Sequence, residues 1–393
     1  MCNFFKNLAN KEILIFFLVV FFIFFLSCFF FGESISNVIN LINNYPRVAP
    51  ENGVLINQQD SYIIHLGYLG SFLQGSIGLI VSIVIMFTVF ITFSIERKRV
   101  NTQRLEDRFY HLLMMHNENV KSMNIDYNGG RLENSKAILN IFRELEVIVK
   151  ILKIKVFMET DVEKIFQLSF SERENSLLSI MFSYEGDYKI FKKNKEICSR
   201  ANSIIYEVSF LIMFIGCGER SSKILKNYLL KFDDILDSEQ VIKMFSDENF
   251  RDKIKENYKF KYKLFGGHQS RLGHYYRNMF HVVKFIDSNS NLFFEEKVSY
   301  IKNFRVQLNT FEQALLMVNC KSDFGKDWEG YIVKYKLVKN IPKDFFGSDY
   351  WFDLESEVRK IATEYKAFIK KECKQDVNSF MISYFEFSKH GLK

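Results

Sequence analysis

The sequence predicts a mainly α-helical fold: an N-terminal two-helix transmembrane hairpin followed by a large, mostly α-helical cytosolic domain. Three observations predict it. Two long apolar runs without charge lie near the N-terminus, Glu96-Arg97-Lys98-Arg99 closes the second, and no proline occurs between Pro50 and Pro342. Proline is the strongest helix breaker, so its absence over most of the chain favours long helices.

The first span, about 13–32, runs from Ile13 to Gly32 and holds 20 residues with no charge. At about 1.5 Å rise per residue this matches a hydrocarbon core of roughly 30 Å. The second span, about 70–93, is also uncharged, which leaves 33–69 as an outer loop. That loop carries Glu33, Glu51 and Asp60 against Arg47, whereas Lys6 and Lys11 precede the first span and Arg97, Lys98, Arg99 and Arg104 follow the second. Basic residues concentrate on the cytoplasmic side of membranes, so the expectation is that both termini are inside. A cleaved signal peptide is the alternative for the first run, and Cys28 faintly resembles a lipid-attachment site. Against both, the apolar run is long for a leader, no small-x-small cleavage site follows it, and it continues through Phe29-Phe30-Phe31.

The spans differ in character. Bulky residues, Phe above all, fill Ile13 to Leu26, a composition suited to lipid. Gly67, Ser71, Gly75, Gly78 and Ser82 instead place small side chains along one helical face, with Gln74 beside them. Small faces let membrane helices approach closely. The stripe suits self-association, hence a homo-oligomer through the second span, or equally packing against the first span of the same chain. Two helices cannot enclose a pore, so a channel would require an oligomer.

Beyond Phe93 the chain carries 50 basic and 42 acidic residues, a mild excess that a mixed solvated surface explains without nucleic acid. The six cysteines form no C-x-x-C pair and none lies in the outer loop, which fits a reducing cytosol and indicates neither a disulfide framework nor a zinc ribbon. Residues 94–130 read as an amphipathic connecting helix, because Leu105, Phe109, Leu112, Leu113, His116 and Val120 recur at helical spacing. The stretch Asn124 to Gly130, ending Asn128-Gly129-Gly130, closes it in a turn. Residues 131–393 then form the helical cytosolic domain. Within it Ser135 to Glu159 follows a helical pattern that leaves a strand possible. Ile204 to Ile215 reads as a buried element, too short for a third span. The Lys-rich stretch Ser246 to Lys263 reads as an exposed helix or connection.

No phosphate loop, nucleophile elbow or metal-binding H-E-x-x-H is present, and neither metal nor cofactor is expected. His116-Asn117-Glu118 reads as capping or core, since adjacent helix positions point in different directions. The richest polar cluster is His268 to His281. On a helix, His274, Arg277, Asn278 and His281 share one face, able to bind phosphate or help cleave RNA with His as acid or base and Arg stabilising charge. Arg277 followed by His281 is similar to the R-x(4-6)-H signature of HEPN ribonucleases, with a shorter spacing here. The competing reading is a buried polar network joining helices. From Tyr300 to Asn319 the pattern is helix, kink, helix: Asn309 or Thr310 caps the second helix and Glu312 or Gln313 closes a capping box. Arg305, Gln307 and Glu312 around the kink read as a structural network.

These segments, in order, resemble the AbiC-like phage abortive infection family. Phe109-Tyr110-His111-Leu112-Leu113-Met114-Met115-His116-Asn117 corresponds to F-x-x-L-L-x-x-H-N, and Gly130-Arg131 to G-R. Tyr276 to Asp287 corresponds to Y-F-R-x-L-y-x-I-L-K-y-I, and Arg305 to Asn319 to R-A-Q-L-S-x-x-E-L-x-L-L-f-Y-N. Tyr331-Ile332-Val333-Lys334-Tyr335 extends the likeness, which covers roughly Ile13 to Lys339. The chain departs at Val306 for Ala, Asn309 for Ser and Met317-Val318 for Phe-Tyr, and Met158 to Lys263 matches nothing in the pattern. The polar residues it singles out are His116, Asn117, Arg131, Arg277, Arg305, Gln307, Glu312 and Asn319. The resemblance implies antiphage defence, as the two-span effector of a larger system such as a retron. The reading built on it is a membrane-anchored effector in the bacterial inner membrane, its cytosolic domain sensing infection or a partner and its clustered spans impairing the membrane. Alternatives are a membrane-tethered HEPN-like ribonuclease using His274, Arg277 and His281, with nucleic acid as its partner, or a non-toxic membrane scaffold or sensor.

Overall fold

The computed structural model describes residues 55–160, 172–183, 190–191, 197–342, 345–346 and 353–384, with Ser36 and Asn40. The expected first span therefore lies outside the described residues. The chain divides into two compact units, Met1–Glu106 and Asp107–Lys393.

In the first unit, helix α1 (Leu55–Ser122, 68 residues) begins inside the stretch read as an outer loop and continues without a break through the expected second span. The outer loop is expected up to the start of the apolar run, but a change in hydropathy does not stop a helix in a stretch without proline. From Ile77 onward α1 contains an 18-residue apolar window with none of its residues buried, so it is long and apolar enough to cross a membrane. Ile77, Leu79, Ile85, Met86, Phe90 and Phe93 are all exposed. Apolar surface left in water costs about 25 cal/mol per Å², a cost that hydrocarbon surroundings remove. The hydroxyls of this stretch are satisfied by the helix itself: Ser82 donates to the Gly78 carbonyl at 2.8 Å, Thr88 to Val84 at 2.9 Å and Thr92 to Thr88 at 2.8 Å. Such internal pairing is what a lipid environment demands of polar groups.

The second unit opens with residues 107–122 of α1, whose Phe109, Leu113 and His116 are buried. Within the segment 94–130 the helix stops at Ser122, just before the Asn124 to Gly130 stretch expected as a turn. A hairpin follows, strand β1 (Asn124–Tyr127) pairing antiparallel with β2 (Gly130–Glu133), Tyr127 opposite Gly130. The two-residue Asn128-Gly129 loop is the sequence that a tight hairpin turn prefers, and Gly129 has φ of +104°. The expected turn is therefore real, but it joins strands.

Helix α2 (Asn134–Thr160) confirms the helical pattern and packs along α4 (Ile197–Ile215), whose residues from Ile204 to Ile215 are buried except Glu207. The element read as buried is thus a core helix. Around this pair lie α3 (Glu172–Ser183), α5 (Ser221–Leu229), α6 (Ser238–Ser246) and α7 (Glu248–Tyr258). The Lys-rich stretch read as exposed forms α7, yet buries Phe250, Arg251, Ile254 and Tyr258 on one face. Next come α8 (Gln269–Asp287), α9 (Phe294–Gln307), α10 (Thr310–Asn319), α11 (Trp328–Tyr335), α12 (Leu354–Glu364) and α13 (Val377–Tyr384). Helix α10 is buried from Glu312 to Asn319 and packs on both α2 and α4, which puts it at the centre of the unit.

Two glycines fix how α4 meets the start of α8. Gly216 and Gly267 have φ of +87° and +89°. A Cβ on Gly216 would lie 2.4 Å from the Gly266 carbonyl carbon, and one on Gly267 would lie 2.2 Å from the Ile215 oxygen. The backbones cross so closely that no side chain fits at either point. The Cys217 amide donates to Phe265 at 2.8 Å beside the crossing, and His268 N–H donates to Phe214 at 2.9 Å.

Candidate functional site

The capping box places the first functional group. Asn309 accepts the Glu312 amide at 2.9 Å, and Glu312 Oε2 reaches back to the Asn309 amide at 2.6 Å. This arrangement, expected from the sequence, starts α10 and leaves Glu312 Oε1 facing α1. His116 Nε2 stands 3.8 Å away, and the two side chains are 1% and 2% exposed. Neither ring nitrogen of His116, nor Glu312 Oε1, makes a hydrogen bond. The imidazole instead packs among rings, edge-on to Phe304 at 5.5 Å and tilted against Tyr275 at 5.4 Å. The Tyr275 hydroxyl stands beside the carboxyl without a well-formed hydrogen bond to it. Burial pushes the His116 pKa down to about 4. It raises that of Glu312, an effect the Asn309 amide and Tyr275 partly oppose. His116 is therefore neutral at neutral pH, and the contact is no ion pair.

A second buried polar chain ties α2 to α8. Glu144, fully buried on α2, accepts the Phe265 amide at 2.8 Å and contacts His268 Nε2 at 3.1 Å. His268 Nδ1 lies 3.3 Å from Arg271, whose Nε donates to the Asn124 carbonyl at 2.5 Å. A proton on His268 Nε2 satisfies both imidazole contacts. This chain escaped the sequence reading, because Glu144 sits in an ordinary helical stretch and meets His268 only through the fold.

Between the end of α1 and the start of α8 opens a polar cleft of about 320 Å³, with Asn119, Ser122 and Asn124 on one wall and Ser270, Arg271 and His274 on the other. His274, Arg277 and His281 lie exposed on one face of α8, as their spacing predicts. Arg277 donates to the Gly273 carbonyl at 3.0 Å and lies 3.3 Å from His274 Nδ1. Asn278 departs from that face: it is buried and donates to the Leu112 carbonyl at 3.4 Å. Of this cluster, buried polar contacts hold Asn278 and, nearly three turns earlier, His268, but not the exposed trio.

The remaining motif residues scatter. Arg305 is buried and donates to the Lys336 carbonyl at 3.0 Å, where Lys336 ends α11 in a left-handed conformation. Gln307 is exposed and outside that network; Gln313 takes the structural role, donating to the Leu308 carbonyl at 3.0 Å and accepting the Asn340 amide at 3.3 Å. Arg131 pairs with Asp126 on the exposed hairpin at 2.5 Å. Asn117 is exposed, while Asn319 is buried at the end of α10, where its carbonyl accepts from Ser322 at 2.7 Å. Gly67, Ser71, Gly75, Gly78 and Ser82 are all exposed on α1, and a Cβ on any of those glycines would meet nothing within 4 Å. Among the described residues no group of three metal-ligating side chains converges. Burial pushes the Cys217 thiol up to about 12 and raises that of Cys320, so neither is a ready nucleophile.

Residues 267–346 match the model of a family described as "Putative phage abortive infection protein". No curated protein and no solved structure matches the chain. The matched segment begins at Gly267 in the backbone crossing and includes α8, α9, α10 and α11, with His268, Arg277, Arg305 and Glu312. Over these helices the chain is similar to that family, the likeness its motifs implied.

Proposed function

We propose that this protein is a membrane-anchored antiphage defence effector. The observation that carries the reading is one continuous helix, α1, which combines an exposed apolar stretch with a final segment whose His116 packs against Glu312 of the family domain. In this reading α1 and the run Ile13 to Gly32 form the hairpin in the bacterial inner membrane, with both termini in the cytoplasm. A signal reaching the domain, from infection or from a partner such as a retron, biases the arrangement of Ser94 to Ser122. That bias passes to the small-residue face, Gly67, Ser71, Gly75, Gly78 and Ser82, through which copies associate and impair the membrane.

Membrane depolarisation after triggered expression tests this, comparing the intact chain with one lacking Met1 to Phe93 and with Gly75→Leu/Gly78→Leu. Ion leakage with the intact chain alone supports the proposal. Cell death with an intact membrane potential refutes it. The ribonuclease reading draws on one observation, the shared exposed face of His274, Arg277 and His281. His281→Ala separates the two: loss of RNA cleavage with folding intact favours the nuclease, and unchanged depolarisation favours the membrane effector.

A further inference from the structure

The start of α8 is electropositive and open. From Gln269 to Ile286 this helix contains no acidic residue. The Arg271 guanidinium meets the Asn124 carbonyl and His268, and that of Arg277 meets the Gly273 carbonyl and His274. Neither guanidinium has a carboxylate partner among the described residues. The nearby carboxylate of Glu118 is held by Lys121 at 2.9 Å. No side chain caps the first turn of α8, so the positive end of its dipole faces the same region.

The opposite wall is the end of α1, where free carbonyls would repel an anion. They are engaged instead. Ser122 donates to the Asn119 carbonyl at 3.0 Å, Asn124 Nδ2 to Ser122 at 3.1 Å and the Met123 amide to Val120 at 3.2 Å. What remains facing the cleft is the Arg271 guanidinium, the His274 imidazole, the Ser270 hydroxyl and the Asn119 side-chain amide, a donor set suited to phosphate oxygens. From the cleft, exposed His274, Arg277, His281 and Lys284 continue along one face of α8. At about 1.5 Å per residue that line is roughly 15 Å long, more than one nucleotide needs. The cleft volume of about 320 Å³ is at the small end of ligand pockets, roughly 300–1,000 Å³.

We propose that this cleft binds the phosphate of a nucleic-acid strand, with the α8 face carrying the strand onward. The site borders the last turn of α1, so occupancy there bears directly on the helix that the proposed effector mechanism uses. The binding inference deepens that mechanism without depending on it.

The test is fluorescence anisotropy with a short labelled RNA or DNA strand and the full chain in detergent, using ATP and inorganic phosphate as competitors. Arg277→Glu and His274→Glu, both at exposed positions, should each weaken binding about tenfold or more, and Arg277→Glu should reduce its salt dependence by about one counterion. Arg271→Lys keeps the charge but not the fork, and circular dichroism checks that it folds. Strand binding lost in the glutamate variants supports the proposal. Competition by ATP at equal affinity keeps the site but shortens its ligand to a mononucleotide. Absence of binding to strand, ATP and phosphate, or variants that bind as the wild type does, overturns it. Depolarisation of infected cells persisting in that case would leave the membrane reading standing while this one falls.

Discussion

His116→Leu probes the buried contact between α1 and the start of α10. The imidazole makes no hydrogen bond, so leucine of similar volume removes two desolvated nitrogens while losing ring packing against Phe304 and Tyr275. The first effect is worth about 1–3 kcal/mol in favour of the variant, and the second about 0.5–1.5 against it. At pH 7.5 the net change thus lies between about 0.5 kcal/mol lost and about 2.5 kcal/mol gained. Acidification discriminates more sharply. His116 is depressed from 6.5 to about 4 in the folded chain, so between those values the unfolded chain binds the extra proton and folding weakens as pH falls. From pH 7.5 to pH 5 this costs the wild type about 2 kcal/mol that the leucine variant does not lose. Glu312, raised by burial, has the opposite sign: its charged form penalises folding at higher pH, and acid relieves that in both proteins. Comparing the two therefore isolates the histidine. Thermal melts in detergent should show wild type and variant diverging between pH 7.5 and pH 5 by on the order of 4 °C. Parallel melting curves would refute the assignment of a neutral, desolvated His116.

Other expectations concern the same framework. Gly216→Ala sets a Cβ against the Gly266 backbone at 2.4 Å in a left-handed conformation, and should cost more than about 2 kcal/mol or abolish soluble expression. Asn309→Ala removes one side of the capping box and should cost about 1 kcal/mol by chemical denaturation, with Asn309→Ser restoring most of it. Glu144→Ala strands the Phe265 amide and His268 in the interior; a loss of about 2–5 kcal/mol is expected, and amide exchange should accelerate at Phe265 before it does in α10.

Much of this was legible in the chain. Helical content followed from missing prolines and apolar spacing, and the α10 capping box from Asn309 and Glu312, because capping is local chemistry encoded within four residues. The exposed trio on α8 followed from helical period alone. What the sequence hid was non-local. Glu144 finds His268 across 124 positions, and nothing near either residue marks the pairing. Gln307, expected in the network at the kink, is exposed, and Gln313, offered as a capping residue, is buried and bonded to Leu308 and Asn340 instead, a placement that spacing within either helix does not reveal. The β-hairpin was read only as a turn since four-residue strands are too short for alternation to register.

The glycine crossing has an architectural consequence. Residues 217 to 266 leave the body at Gly216 and return to touch the same spot, Cys217 and Phe265 sharing a hydrogen bond of 2.8 Å. The excursion holding α5, α6 and α7 is thus a closed detour between α4 and the point where the family segment begins. The junction therefore fixes both ends of the detour at one point, so motion of α5, α6 and α7 can pivot there without changing how α4 meets the start of α8.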